Sequence, residues 1–197
     1  MQRLRLPGPR DARGVLDSAA DADRVVVACP PHPQMGGSRS DQRLRAVSDA
    51  FTTRGVACLR FDYGPYDEGR EERTDARHAL DWARERFDAV GLFGYSFGAG
   101  VALLAAADAD PQPATVSVLA PPVRLDGGTE TAPAVDRIDA PLQIVYGERD
   151  DTIDWRPVVE RARERGAVVD GLPADHHFVG QGERVGELVA DFLTNEL

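Results

Sequence analysis

The run Gly94-Tyr95-Ser96-Phe97-Gly98 sets a serine between two glycines, with an apolar stretch before it and a small-residue stretch after it. Where a strand turns at once into a helix through such a run, the central serine is held in a strained backbone conformation with its hydroxyl exposed at the sheet edge. Small flanking residues are then needed to avoid clashes. A serine hydroxyl is a weak nucleophile, so it needs a base, and the base needs a carboxylate to orient it. In this strand–turn–helix setting the partners follow in the order serine, acid, histidine. Only His176 and His177 follow Ser96 in the chain. The acid is expected just after the apolar run Leu142 to Tyr146, in Gly147-Glu148-Arg149-Asp150-Asp151, with Asp150 as the first choice and Asp151 as the fallback. An aspartate there also suits a solvated loop or a helix cap.

A tetrahedral intermediate further requires two amide donors for its oxyanion. The N–H of Phe97, directly after the nucleophile, is one. The other is expected from Pro30-Pro31-His32-Pro33-Gln34-Met35-Gly36-Gly37-Ser38, where proline supplies no donor and Gln34 is the first free N–H after the Pro-His-Pro stretch. His32, Tyr95 and His177 are expected to face the substrate. No spacing of His, Cys and carboxylates supports a metal, and no cofactor is expected.

These groups need a frame that brings distant loops to one edge. Short apolar runs alternate with longer amphipathic ones. Strands are expected at Arg24 to Cys29, Val56 to Phe61, Ala89 to Phe93, Thr115 to Leu119, Leu142 to Tyr146 and Ala167 to Val169. Helices are expected at Ser40 to Arg54, Glu71 to Phe87, Phe97 to Ala107, Val158 to Arg165 and Glu183 to Phe192, with a leading hairpin through Leu4, Leu6 and Gly14 to Leu16. His78 falls within a helix and is expected on its surface. Strands apolar on both faces and alternating with helices imply a mostly parallel sheet of about six to eight strands, covered on both sides, in one domain spanning residues 1–197. Ligands bind such sheets beyond the carboxyl ends of the strands, where Ser96, Asp150 or Asp151, His176 or His177, and the Pro30 to Ser38 loop are expected. The stretch Pro121 to Asp139 is too short for a cap domain.

On these residues the chain resembles the α/β-hydrolase superfamily, and within it the small lid-less enzymes of the dienelactone-hydrolase-like group. The resemblance runs from Arg24 to Phe192. It rests on the His-Pro-x-Pro-x-x-Gly-Gly-type loop at residues 30–37, the Gly94 to Gly98 turn, and Asp175-His176-His177-Phe178. The resemblance implies a serine esterase with Ser96, Asp150 and His176 as its triad, and it picks His176 over His177 because His177 occupies the place of a phenylalanine. Three departures stand out. Pro30 replaces the first histidine of the loop. Phe61 to Gly69 lacks the arginine of the corresponding family loop. The nucleophile is serine where dienelactone hydrolases proper use cysteine. The implied substrate is a small carboxylic ester. Thioester, lactone or peptide cleavage on the same triad, and a non-catalytic binding protein of the same fold, are the alternatives.

The charge describes the surroundings. The 197 residues carry 33 acids, 22 of them Asp, against 23 cations that are all Arg, for a net charge of −10. Such a field disfavours nucleic acid and anionic lipid as partners. The first ten residues hold no apolar segment of a signal peptide, and the longest apolar run, Val101 to Ala107, is too short to span a bilayer, so a cytoplasmic protein is expected. Cys29 and Cys58 read as buried free thiols. Lysine-free acidity fits adaptation to high salt. GC-rich codon usage accounts for the missing Lys but not for the net charge. A homo-oligomer is one outcome the sequence allows.

Overall fold

The computed structural model describes residues 1–18 and 21–197. Eight strands form one sheet: β1 (Gln2–Arg5), β2 (Arg13–Asp17), β3 (Arg24–Cys29), β4 (Ala57–Asp62), β5 (Ala89–Tyr95), β6 (Thr115–Leu119), β7 (Leu142–Gly147) and β8 (Val168–Leu172). Their spatial order is β1-β2-β4-β3-β5-β6-β7-β8. The first two strands pair antiparallel, as does β2 with β4, and every other pairing is parallel.

The period-2 alternation of the central strands explains the layers. In β3, Val25, Val27 and Cys29 face one core while Val26 and Ala28 face the other. Helices α1 (Gln42–Thr53) and α6 (Gly182–Glu196) cover the second face through Leu44, Val47, Phe51, Val185, Val189 and Leu193. Helices α2 (Arg70–Arg84), α3 (Phe97–Ala107), α4 (Ala132–Val135) and α5 (Arg156–Arg165) cover the first, through residues such as Ala76, Leu80, Val101, Ala134 and Val158. Both thiols are buried, which pushes Cys29 and Cys58 up to about 12 and leaves them inert as nucleophiles.

The expected order of elements holds, and the leading hairpin forms with Leu4 opposite Gly14. The boundaries shift for local reasons. Helix α1 starts at Gln42 rather than Ser40 because Asp41 caps it, its side chain accepting the Arg43 N–H at 2.8 Å. Strand β8 runs on to Leu172, past the expected end at Val169, although Asp170-Gly171 are poor strand formers. Pairing of Gly171 with Tyr146 and of Leu172 with Gly147 carries it on, and Gln143 donates to the Asp170 carboxylate at 2.9 Å. Two single turns, a 3-10 turn at Pro33–Met35 and the helix α4, carry no apolar period and were invisible to it. His78 is half-buried rather than on the surface, because the N-terminal hairpin folds over it: a Cβ on Gly8 would lie 2.5 Å from His78 Nδ1. Among the described residues, no helix is long and apolar enough to cross a membrane.

Candidate active site

Ser96 closes β5 and caps α3 at φ 56°, ψ −122°, a conformation costly for a residue with a Cβ. The surroundings hold it there. Its N–H donates to Leu119 O at 2.9 Å, and its carbonyl accepts from Ala99 and Gly100. The turn closes only because its neighbours are glycine. A Cβ on Gly94 would sit 2.2 Å from Gly98 O, and one on Gly98 would sit 2.3 Å from both Cys29 O and Pro30 O. Helix α3 is thereby pressed against the end of β3, bringing the loop after β3 alongside the serine.

His176 lies in the loop after β8 and Asp150 in the loop after β7. The Ser96 hydroxyl stands 2.9 Å from His176 Nε2, and His176 Nδ1 stands 2.7 Å from Asp150 Oδ2. The remaining Asp150 oxygen accepts the N–H groups of Thr152 at 2.9 Å and Ile153 at 3.3 Å, so the carboxylate is oriented by its own loop. An Nδ1–H tautomer follows, leaving the Nε2 lone pair for the serine proton. The side chains of His176 and Asp150 are 8% and 0% exposed, and Ser96 is half-buried at the rim. Asp151 is exposed and takes no part. Of the two acids and two histidines left open by position, the structure brings together Asp150 and His176.

Two expected roles change. The Gln34 N–H donates to His32 Nδ1 at 3.2 Å, which takes it out of the oxyanion role. In the same turn Met35 and Gly37 donate to His32 O and Gly36 donates to Pro33 O. Among the described hydrogen bonds none engages the His32 N–H, the first amide after the two prolines that follow β3. Taking the first donor after Pro33, rather than after the Pro30-Pro31 pair, passes over it. Tyr95 does not face substrate. It is 1% exposed, its hydroxyl donates to His176 O at 2.9 Å, and the Arg43 guanidinium lies 4.7 Å from its ring centre. Burial pushes its phenol up to about 12. His177 is exposed, its ring 5.4 Å edge-on from that of His176, and its N–H caps onto Asp175.

Phe97 follows Ser96 directly, and the His32 ring packs against it. The Phe97 amide is the first of α3, where no carbonyl one turn back exists to accept it. The His32 ring packs 4.9 Å from Phe97 and 5.1 Å from Tyr66. Sequence reading passed over Tyr66 and Asp126, which join this wall: both Tyr66 Oη and His32 Nε2 (2.6 Å) reach Asp126 Oδ2. A surface hollow of 480 Å³ between α4 and α5, lined by Glu130, Pro133, Asp136, Pro157 and Arg161, touches none of these groups.

No family model and no curated protein matches this chain. Solved structures do. An α/β serine hydrolase homologue from Coxiella burnetii matches at 24% identity and TM-score 0.82, covering 96% of each chain. A serine hydrolase without a lid from Xanthomonas campestris matches at 22% and 0.81, covering 100% of this chain and 94% of that one. An esterase from Pyrococcus furiosus matches at 17% and 0.84, covering 99% and 90%. The fold expected from the sequence is therefore the observed one: an α/β-hydrolase fold without a lid.

Proposed function

We propose that this lid-less α/β-hydrolase fold carries a serine hydrolase that cleaves small carboxylic esters through an acyl-enzyme. The observation that supports it most is the relay from Ser96 Oγ through His176 to Asp150, at 2.9 and 2.7 Å, with Ser96 in the strained turn. The esterases among the similar structures agree with an ester as substrate.

In the first half-reaction Ser96 Oγ attacks the ester carbonyl and its proton passes to His176 Nε2. Asp150 holds the tautomer and stabilises the imidazolium. The oxyanion is met by the Phe97 N–H and, in place of Gln34, the His32 N–H. His176 returns the proton to the leaving alcohol. A water then gives a proton to His176 and attacks the acyl-serine, and His176 passes that proton to Ser96 Oγ as the acid leaves. No step calls for a cofactor. Ser96→Ala should reduce hydrolysis of p-nitrophenyl acetate to near background and abolish labelling by a fluorophosphonate probe. Unchanged turnover in this variant overturns the reading, and turnover without probe labelling removes the acyl-enzyme.

The acidic, lysine-free surface suits concentrated salt. Unfolding temperatures measured from dilute buffer to molar KCl should rise with salt, and a maximum in dilute buffer contradicts this.

A further inference from the structure

The β6–α4 connection, residues 120–131, is locked down. Leu125 is buried in a socket made by two glycines: a Cβ on Gly69 would lie 2.5 Å from its Cδ1, and one on Gly100 would lie 2.7 Å from its Cδ2. The turn closes on itself through Leu125 N to Thr129 O and Gly128 N to Leu125 O, and Gly127 N donates to Glu68 O at 2.9 Å. The residue after the anchor is Asp126, so its carboxylate is delivered to one place. There it meets Tyr66 Oη and His32 Nε2 on a single oxygen.

The consequence passes through the imidazole. Asp126 has no proton to give, so the Nε2 atom facing it at 2.6 Å carries the hydrogen. The neutral ring then has a lone pair on Nδ1, where the Gln34 N–H donates at 3.2 Å. That bond caps the Pro33–Met35 turn, whose Met35 and Gly37 amides grip the His32 carbonyl at 3.0 Å each. With Gln34, Met35, Gly36 and Gly37 all bonded inside the turn, the His32 N–H is left for the oxyanion.

We propose that Asp126 is a positioning residue for the oxyanion hole, holding the His32 tautomer that organises the Pro30–Gly37 turn beside Ser96. This rests on the esterase reading for its kinetic consequence but not for its geometry. In the wild-type protein, imidazole ¹H–¹⁵N spectra should show neutral His32 with its proton on Nε2; a proton on Nδ1 overturns the proposal whether or not the chain is an esterase. Asp126→Ala should lower kcat for p-nitrophenyl acetate by about tenfold or more with little change in KM, the pattern of a weakened transition-state donor. Asp126→Asn, whose amide oxygen still accepts from Nε2–H, should recover most of the loss. In His32→Asn the side-chain oxygen can cap Gln34 without help from residue 126, so adding Asp126→Ala there should cost less than about twofold. A full Asp126→Ala loss in the His32→Asn background shows that residue 126 works through the β6–α4 connection and not through His32, which overturns the proposal. Hydrolysis that survives Ser96→Ala removes the esterase reading while leaving the tautomer result to stand or fall alone.

Discussion

Two imidazole–carboxylate pairs meet at the Ser96 turn, alike in chemistry and unlike in setting. His176–Asp150 closes at 2.7 Å with side chains 8% and 0% exposed, and reaches the serine hydroxyl itself. His32–Asp126 closes at 2.6 Å with side chains 17% and 50% exposed, and reaches Phe97 and the neighbouring turn. Charge attraction at a given separation is several-fold stronger away from water, and exposed pairs contribute about 0–1 kcal/mol. The buried pair can therefore act on the reaction electrostatically, stabilising an imidazolium as it forms. The exposed pair has little charge stabilisation to offer, and what it supplies is a fixed ring and a fixed tautomer. Their supports differ accordingly. Asp150 is oriented by backbone amides of its own loop, whereas Asp126 depends on the Leu125 socket next to it.

The sharpest way to break this contrast is the same isosteric change in both pairs. Asp150→Asn should lower kcat about 10⁴-fold, the magnitude expected when a triad imidazole loses its carboxylate and takes the wrong tautomer. Asp126→Asn should cost no more than a few-fold, because the exposed pair needs an acceptor and not a charge. Steady-state kinetics on p-nitrophenyl acetate measures both, and equal losses would erase the distinction. A smaller effect probes what holds the buried pair in place. Tyr95→Phe removes the donor to His176 O and leaves that carbonyl unsatisfied beneath the base. Urea unfolding should show a loss of about 1–3 kcal/mol, and an unchanged midpoint would mean that the hydroxyl does not anchor the loop.

The smallest effect concerns acid. Hydrogen bonds from the Tyr66 hydroxyl and then from His32 hold the Asp126 carboxyl below its ordinary value. Its folded pKa is thus lower than its unfolded one, so the folded state binds fewer protons. The stability it contributes is present in full above about pH 4 and is lost as pH falls through the lower, folded value. Asp126→Asn should flatten that part of the acid limb in thermal unfolding followed from pH 5 downward. A limb of unchanged steepness would show that the exposed pair adds nothing even there.

The two pairs also differ in how far they could be read before folding. The buried one was legible because each member follows a strand, Asp150 after β7 and His176 after β8, as Ser96 follows β5, and parallel strands deliver their carboxyl ends to one edge. The exposed one was not. Asp126 is one of 22 aspartates, sits in a connection with no period, and lies 94 residues from its partner. Tyr95 misled for a related reason: adjacency to Ser96 in the chain suggested substrate contact, but the pleat turns neighbouring side chains to opposite faces, and Tyr95 points into the core beside Phe178. Gln34 misled because a donor's availability depends on which acceptor the turn offers it.

What the amino-acid order determined alone is therefore what repeats with a period or is forced by a missing side chain. The apolar alternation specified a covered parallel sheet, and Gly94 and Gly98 specified the tight turn that makes Ser96 strained. Only the tertiary structure decided Asp150 over Asp151 as the partner of His176, the engagement of the Gln34 amide by the His32 ring, and the union of Asp126 with His32. Those choices depend on which of several equivalent polar groups a loop turns inward. A loop's direction is set by the buried residue that anchors it, as Leu125 is by Gly69 and Gly100, and not by its own composition.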